Sequence, residues 1–123
     1  MFLYSRLSTR YSNEIEDPSE MDRRYALADL FNEDDPGLSE EHYAKHPMVW
    51  LATVCQIDAS TSVYCITVDR SGHATFQHWT DVSESPAFES TASVTKAEAI
   101  DLWNDLAHHK FDAVLVWFLS QRE

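Results

Sequence analysis

Met48-Val49-Trp50-Leu51-Ala52-Thr53-Val54-Cys55-Gln56-Ile57 is the stretch that decides the fold. Its β-branched and aromatic residues suit a pleated surface, and side chains alternate between the two faces of a strand. Val49, Leu51, Thr53, Cys55 and Ile57 share one face, and Trp50, Ala52 and Val54 share the other. Both faces are largely apolar, which predicts a strand inside a sheet covered on both sides. Two more strands follow, Val63 to Val68 and His73 to Thr80, with Phe76 the clearest inward residue. Asp58-Ala59-Ser60-Thr61 makes the first turn. Asp69-Arg70-Ser71-Gly72 makes the second, where Gly72 can take the positive φ a hairpin needs.

Beyond these strands, residues 81–93 are polar and predict a loop. Thr95-Lys96-Ala97-Glu98 has the spacing of a capping box and opens a helix to about His109. Ile100, Trp103, Leu106 and Ala107 form its inner stripe, and His108, His109 and Lys110 suit the negative end of its dipole. Ala113 to Leu119 is apolar on both faces and predicts a last, central strand. Leu115 and Trp117 should be buried on it, with Trp103 and Ile100 packed over them.

Upstream of Pro47 the chain is polar and acidic. Residues 2–11 predict an edge strand carrying Phe2, Tyr4 and Leu7. Asp17 is placed to cap a helix, with Pro18 in its first position and Glu20 at the positive end of its dipole. Met21, Tyr25, Leu27, Ala28 and Phe31 recur at helical spacing up to Asn32, before the turn signal Asp34-Asp35-Pro36-Gly37. Ser39, Glu40 and Glu41 start a short helical segment that Pro47 stops. The predicted order α, β, β, β, α, β describes one α+β domain over residues 1–123. It has a mostly antiparallel sheet of about four strands, a helical part at 1–46, a β-β-β-α-β core at 47–123, and one helix before the last strand.

Composition narrows the function. Twenty-one Asp and Glu face nine Lys and Arg, a formal charge of −12 in 123 residues. Solubility of a small domain needs a magnitude of only ~2–8. Excess like charge costs stability, suits a basic protein partner and opposes nucleic acid. With 44% apolar and 12% aromatic residues the chain is not disordered. No stretch approaches the ~20 apolar residues of a membrane-spanning helix. Met1-Phe2-Leu3-Tyr4-Ser5-Arg6 lacks the basic and apolar regions of a signal peptide, so a cytoplasmic location is expected.

Few constellations could carry chemistry. His42 and His46 have a metal-ligand spacing, but Tyr43 stands where a zincin has Glu and no third ligand is fixed, so no metal or cofactor is expected. His73 and His78 fall on opposite strand faces, and His78 shares the face of Phe76, as a buried, hydrogen-bonded histidine does. Cys55 and Cys65 are symmetric about Ser60. A hairpin centred there makes them cross-strand neighbours, as two reduced core thiols or as a geometrically demanding disulfide. Asp101 and Asp105 share an outer helix face with nothing apolar around them to separate their pKa values. A glycine-rich phosphate loop and a basic nucleic-acid patch are both missing, so no enzymatic activity is expected.

Asp29, Glu33, Asp34, Asp35, Glu40 and Glu41 place six carboxylates in thirteen residues without a base. They read either as a solvated loop and helix face or as a contact surface for a basic protein. In the second reading Phe31 and Tyr43 are the aromatic anchors, and the partner-binding residues are Phe31, Glu33, Asp34, Asp35, Glu40, Glu41 and Tyr43.

The second half, with a meander from Trp50 to Val68 and His73 to Thr80, a capped helix from Thr95 to Lys110 and a final segment Val114 to Phe118, resembles the small immunity proteins of bacterial polymorphic toxin and contact-dependent inhibition systems. The resemblance covers about 75 residues and is one of pattern, without a diagnostic motif. It implies a cytoplasmic, non-enzymatic protein that masks the active site of one toxin. The expected function is therefore an acidic binding protein that neutralises a basic enzyme, a toxin or nuclease domain. Two alternatives stay open: a phage-encoded anti-CRISPR or anti-restriction inhibitor that imitates DNA, and an acidic secretion chaperone.

Overall fold

The computed structural model describes residues 2–8, 14–31, 48–57, 60–80 and 86–121. They form β1 (Phe2–Ser8), β2 (Glu14–Glu16), α1 (Glu20–Phe31), β3 (Met48–Ile57), β4 (Ser60–Asp69), β5 (His73–Thr80), β6 (Phe88–Ser93), α2 (Lys96–Ala107) and α3 (Phe111–Ser120). All strand pairs are antiparallel, in the order β2-β1-β3-β4-β5-β6. The α+β class is as the sequence predicts, but the sheet has six strands rather than about four.

The two extra strands have no apolar run to announce them. β6 sends only Phe88, Ser90 and Ala92 inward, two of them small. β2 is three residues long and pairs with Arg6, Leu7 and Ser8, so β1 lies inside the sheet and not at its edge. β3 spans the predicted Met48 to Ile57, and β5 the predicted His73 to Thr80.

Ala113 to Leu119 is helical, which overturns the predicted last strand. A short apolar run fits a buried strand or a buried helix face equally well. Here Val114 and Phe118, one helical turn apart, are fully buried, while Val116 is 64% exposed. Leu115 and Trp117 are only partly buried on α3, and the Trp117 ring meets Phe118 edge-on at 5.0 Å.

The core lies between the helices and one face of the sheet. Leu7, Leu51, Ile66 and Phe76 come from the strands, and Leu27, Leu30, Trp103, Leu106 and Phe118 from the helices. Trp103 is completely buried, and its indole N–H donates to the carbonyl of Ile66 at 3.2 Å. A buried Trp needs such a partner, and this one sits at mid-sheet. Thr53 is also fully buried; its hydroxyl donates to the Leu106 carbonyl at 3.3 Å and lies 3.0 Å from Ser5 Oγ.

In α1 the buried stripe is Arg23, Ala26, Leu27 and Leu30, whereas Met21 and Tyr25 are 65% and 64% exposed. Arg23 is the joint between α1 and α2. Its Nε and Nη2 donate to Asn104 Oδ1 at 3.3 and 3.2 Å, and its Nη1 to the Pro18 carbonyl at 2.9 Å. Burial pushes this guanidinium below its ordinary value, opposed by Glu20 and Asp22.

Ser19, not Asp17, caps α1. Asp22 N donates to Ser19 Oγ at 3.1 Å, and Ser19 N to Asp22 Oδ2 at 2.9 Å. Asp17 sits at φ 46°, where it accepts from Ser5 N at 3.0 Å and donates its own N–H to Ser5 O at 2.7 Å. It ties the start of α1 to β1.

The capping box of α2 is as predicted: Glu98 N donates to Thr95 Oγ1 at 3.1 Å, and Thr95 N to Glu98 Oε1 at 3.0 Å. The same helix ends in a Schellman motif. Lys110 N donates to Asp105 O at 2.8 Å and His109 N to Leu106 O at 3.1 Å. The left-handed residue of that motif is His109, at φ 62°, where glycine is the usual choice. Gly72 takes a further left-handed position at φ 90°, and a Cβ there would meet Val94 O at 3.0 Å.

Opposite effects are expected at these two left-handed positions. His109→Gly should raise stability by about 0.5–1 kcal/mol, offset in part by a more flexible unfolded chain. Gly72→Ala should lower it by more than about 1 kcal/mol. Urea unfolding of both variants checks the signs; a destabilising His109→Gly would mean the His109 side chain is itself held in place.

Candidate functional site

The three described helices lie against one face of the sheet, and the register places a second set of side chains on the other. Tyr4, Val54, Val63 and Trp79 stand directly opposite one another across β1, β3, β4 and β5. The next row runs Glu16, Arg6, Ala52, Cys65, Gln77 and Glu89. A third holds Trp50 between Ser8 and Thr67, then Thr75 and Thr91. Tyr4, Trp50, Val54, Val63 and Trp79 are half-buried, and none of them belongs to the core or packs against it. Among the described residues, helices cover β3 on one face only.

Directly paired aromatic and β-branched side chains are the arrangement that stabilises a sheet face most. The adjacent row through Ala52 and Cys65 has polar groups at both ends. At one end Arg6 pairs with Glu16 at 3.4 Å, beside Glu14. At the other, Gln77 Nε2 donates to Glu89 Oε1 at 2.9 Å. The face is thus an aromatic and aliphatic centre with an acidic excess at its margins, the composition favoured where proteins dock.

The predicted contact residues behave differently. Phe31 is the last residue of α1 and is half-buried against the core. Glu33, Asp34, Asp35, Glu40, Glu41 and Tyr43 lie outside the described residues, as do His42 and His46. Among the described residues no group of three or more His, Cys, Asp or Glu could hold a metal ion, and no helix is long and apolar enough to cross a membrane.

Cys55 and Cys65 are not neighbours. The β3–β4 register pairs Ile57 with Ser60, so Cys55 faces Ser62 and Cys65 faces Ala52. The two free thiols point to opposite faces of the sheet. Burial raises both, Cys65 to about 11 despite a hydrogen bond to Thr67. Neither is poised as a thiolate nucleophile.

His73 and His78 fall on opposite faces, as alternation requires. His73 is exposed at the hairpin, with Nδ1 2.8 Å from Ser71 Oγ. His78 stacks on Tyr64, centroid to centroid 4.2 Å at 7°, and Tyr64 stacks on Phe111 at 3.9 Å and 6°. The hydrogen bond expected of a buried histidine is missing, because its Nε2 is shielded from solvent and has no partner. Desolvation lowers the His78 pKa and, with Cys55 and Asp112, raises that of Tyr64.

The alternation of Trp50, Ala52 and Val54 marks this apolar face in the sequence, but alternation alone does not say what covers it. Comparison with family models, with curated proteins and with solved structures gives no match in any of the three.

Two outcomes follow from these environments. At pH 8 the Cys65 peptide should be alkylated by iodoacetamide about 100-fold more slowly than an ordinary cysteine, because so little of it is thiolate. Mass spectrometry separates it from Cys55, and a normal rate would show that water reaches the row. His78→Phe keeps a ring on Tyr64 and removes the unsatisfied nitrogen, so at pH 7 it should stabilise the fold by about 1 kcal/mol. A histidine whose folded pKa is lowered binds its proton more readily when unfolded. It costs stability as pH falls below about 6.5, and that loss should be smaller in His78→Phe.

Proposed function

We propose that this chain is a non-enzymatic binding protein that docks a basic protein on the sheet face opposite its described helices and acts by occluding it, as an immunity protein occludes its toxin. The observation that carries the reading is the Tyr4–Val54–Val63–Trp79 row with Trp50 beside it, half-buried outside the core. Trp and Tyr are the residues that dominate binding energy when a partner desolvates them fully. A net charge of −12, with Glu14, Glu16 and Glu89 at the ends of the neighbouring rows, selects a partner of opposite sign. Raised thiol pKa values at Cys55 and Cys65 support binding over nucleophilic catalysis.

The two contributions separate kinetically. With the basic partner recovered from the native host, Trp79→Thr should speed dissociation by about 30-fold, the equivalent of a ~2 kcal/mol anchor. Replacing Glu14, Glu16 and Glu89 together with Gln should slow association and flatten its salt dependence, leaving dissociation nearly unchanged. Thr keeps the strand propensity at position 79, and matching unfolding midpoints confirm that the variant folds. Unchanged dissociation in both Trp79→Thr and Trp50→Thr, or a partner that is itself acidic, defeats the reading.

A further inference from the structure

Met21 and Tyr25 stay exposed on α1, although large apolar side chains gain most from burial. With Ala28 they lie at i, i+4 and i+7, one stripe along two turns of that helix. At 1.5 Å per residue the stripe is about 10 Å long. Lys96 and Ile100, one turn apart on α2, join it and Arg24 in lining a groove of about 290 Å³ between the two helices. No acid lines the groove, although the chain holds 21 acids against nine bases. Arg24 already shares its guanidinium with Glu20 at 3.1 Å. Lys96 is exposed and, among the described residues, has no ion-pair partner.

We infer that this groove binds a small arylalkyl carboxylate, with its ring and chain along Met21, Tyr25, Ala28 and Ile100 and its carboxylate at the ammonium of Lys96. Three features select that chemistry. The walls are apolar with few charged groups, as in small-molecule sites, and the volume falls near the lower end of their range. Both charged groups that line the groove are bases, and the ammonium of Lys96 is the one without a carboxylate of its own, so the head group is an anion. Among the described residues no other ring packs on Tyr25, which leaves its face open for an aryl group to stack. Every lining residue is exposed or half-buried, so a ligand reaches them all without moving either helix. The groove lies in the helix layer, and its occupation needs neither the opposite sheet face nor a protein partner.

Phenylbutyrate and its neutral isostere phenylbutanamide test it, by NMR titration of the Met21 and Ile100 methyl signals. At low salt, saturable phenylbutyrate binding is expected, with the amide about threefold weaker, the worth of an exposed ion pair. That preference should fade as salt rises. Lys96→Gln should bring phenylbutyrate down to the amide while leaving the amide unaltered. Tyr25→Ser should weaken both probes about fivefold, and matching unfolding midpoints confirm that these two exposed positions leave the fold intact. No saturable shift at millimolar phenylbutyrate, equal affinity for acid and amide, a preference that survives Lys96→Gln, or affinities unchanged in Tyr25→Ser would each overturn the assignment.

Discussion

Cover of one sheet face by all three described helices is the constraint on which the rest of the described structure depends. Three helices lie against a single face of a six-stranded sheet, and Trp103 fixes them there by donating its indole proton to the carbonyl of Ile66 in the middle strands. Trp103, Leu106, Val114 and Phe118 can all reach zero exposure because α2 and α3 share that face, while Arg23 and Asn104 hold α1 against α2. Among the described residues, the side chains of the opposite face meet one another across strands. Tyr4, Val54, Val63 and Trp79 do so by direct opposition, without joining the core.

Much of the local structure was legible because it rests on local chemistry. β3 and β5 keep their predicted bounds through alternation and β-branched content. The α2 cap forms because Thr95 and Glu98 satisfy each other's backbone N–H groups, and Gly72 makes the turn that only its missing Cβ allows. Elements set by tertiary context were not legible. Phe88-Glu89-Ser90-Thr91-Ala92-Ser93 is too polar to announce a strand; it becomes one because β5 offers an edge. Phe111 to Ser120 is apolar enough for either structure, and only the burial of Val114 with Phe118 distinguishes them. The same ambiguity hid the candidate site. Trp50, Ala52 and Val54 announce an apolar face, but whether a helix or a partner covers such a face depends on where the helices go. A shift of three in the sum of paired residue numbers, from a centre at Ser60 to the Ile57–Ser60 pair, was enough to separate Cys55 from Cys65.

Polar groups inside the helix-side layer divide into two kinds. Thr53, Ser5 and Arg23 are buried and bonded, so they fix how the elements meet. His78 is different, for its Nε2 has no partner where Tyr64, Phe88 and Phe111 converge beside Asp112. Natural sequences keep such unsatisfied groups at the expense of stability.

The register of β1 carries a consequence for the order in which the molecule assembles. Phe2 pairs with Gln56, and Tyr4 with Val54, so β1 has no long partner until β3 has been made. β3, β4, β5 and β6 follow one another as neighbours and need only short closures, whereas β1 must be captured across all of α1. Closing such a distant pair is slow relative to hairpin formation. In the interval β1 and β2 present open backbone edges, and Arg6, Glu14 and Glu16 are the charges that discourage wrong pairing there. The charges of β1 and β2 thus act on the chain before the sheet is closed.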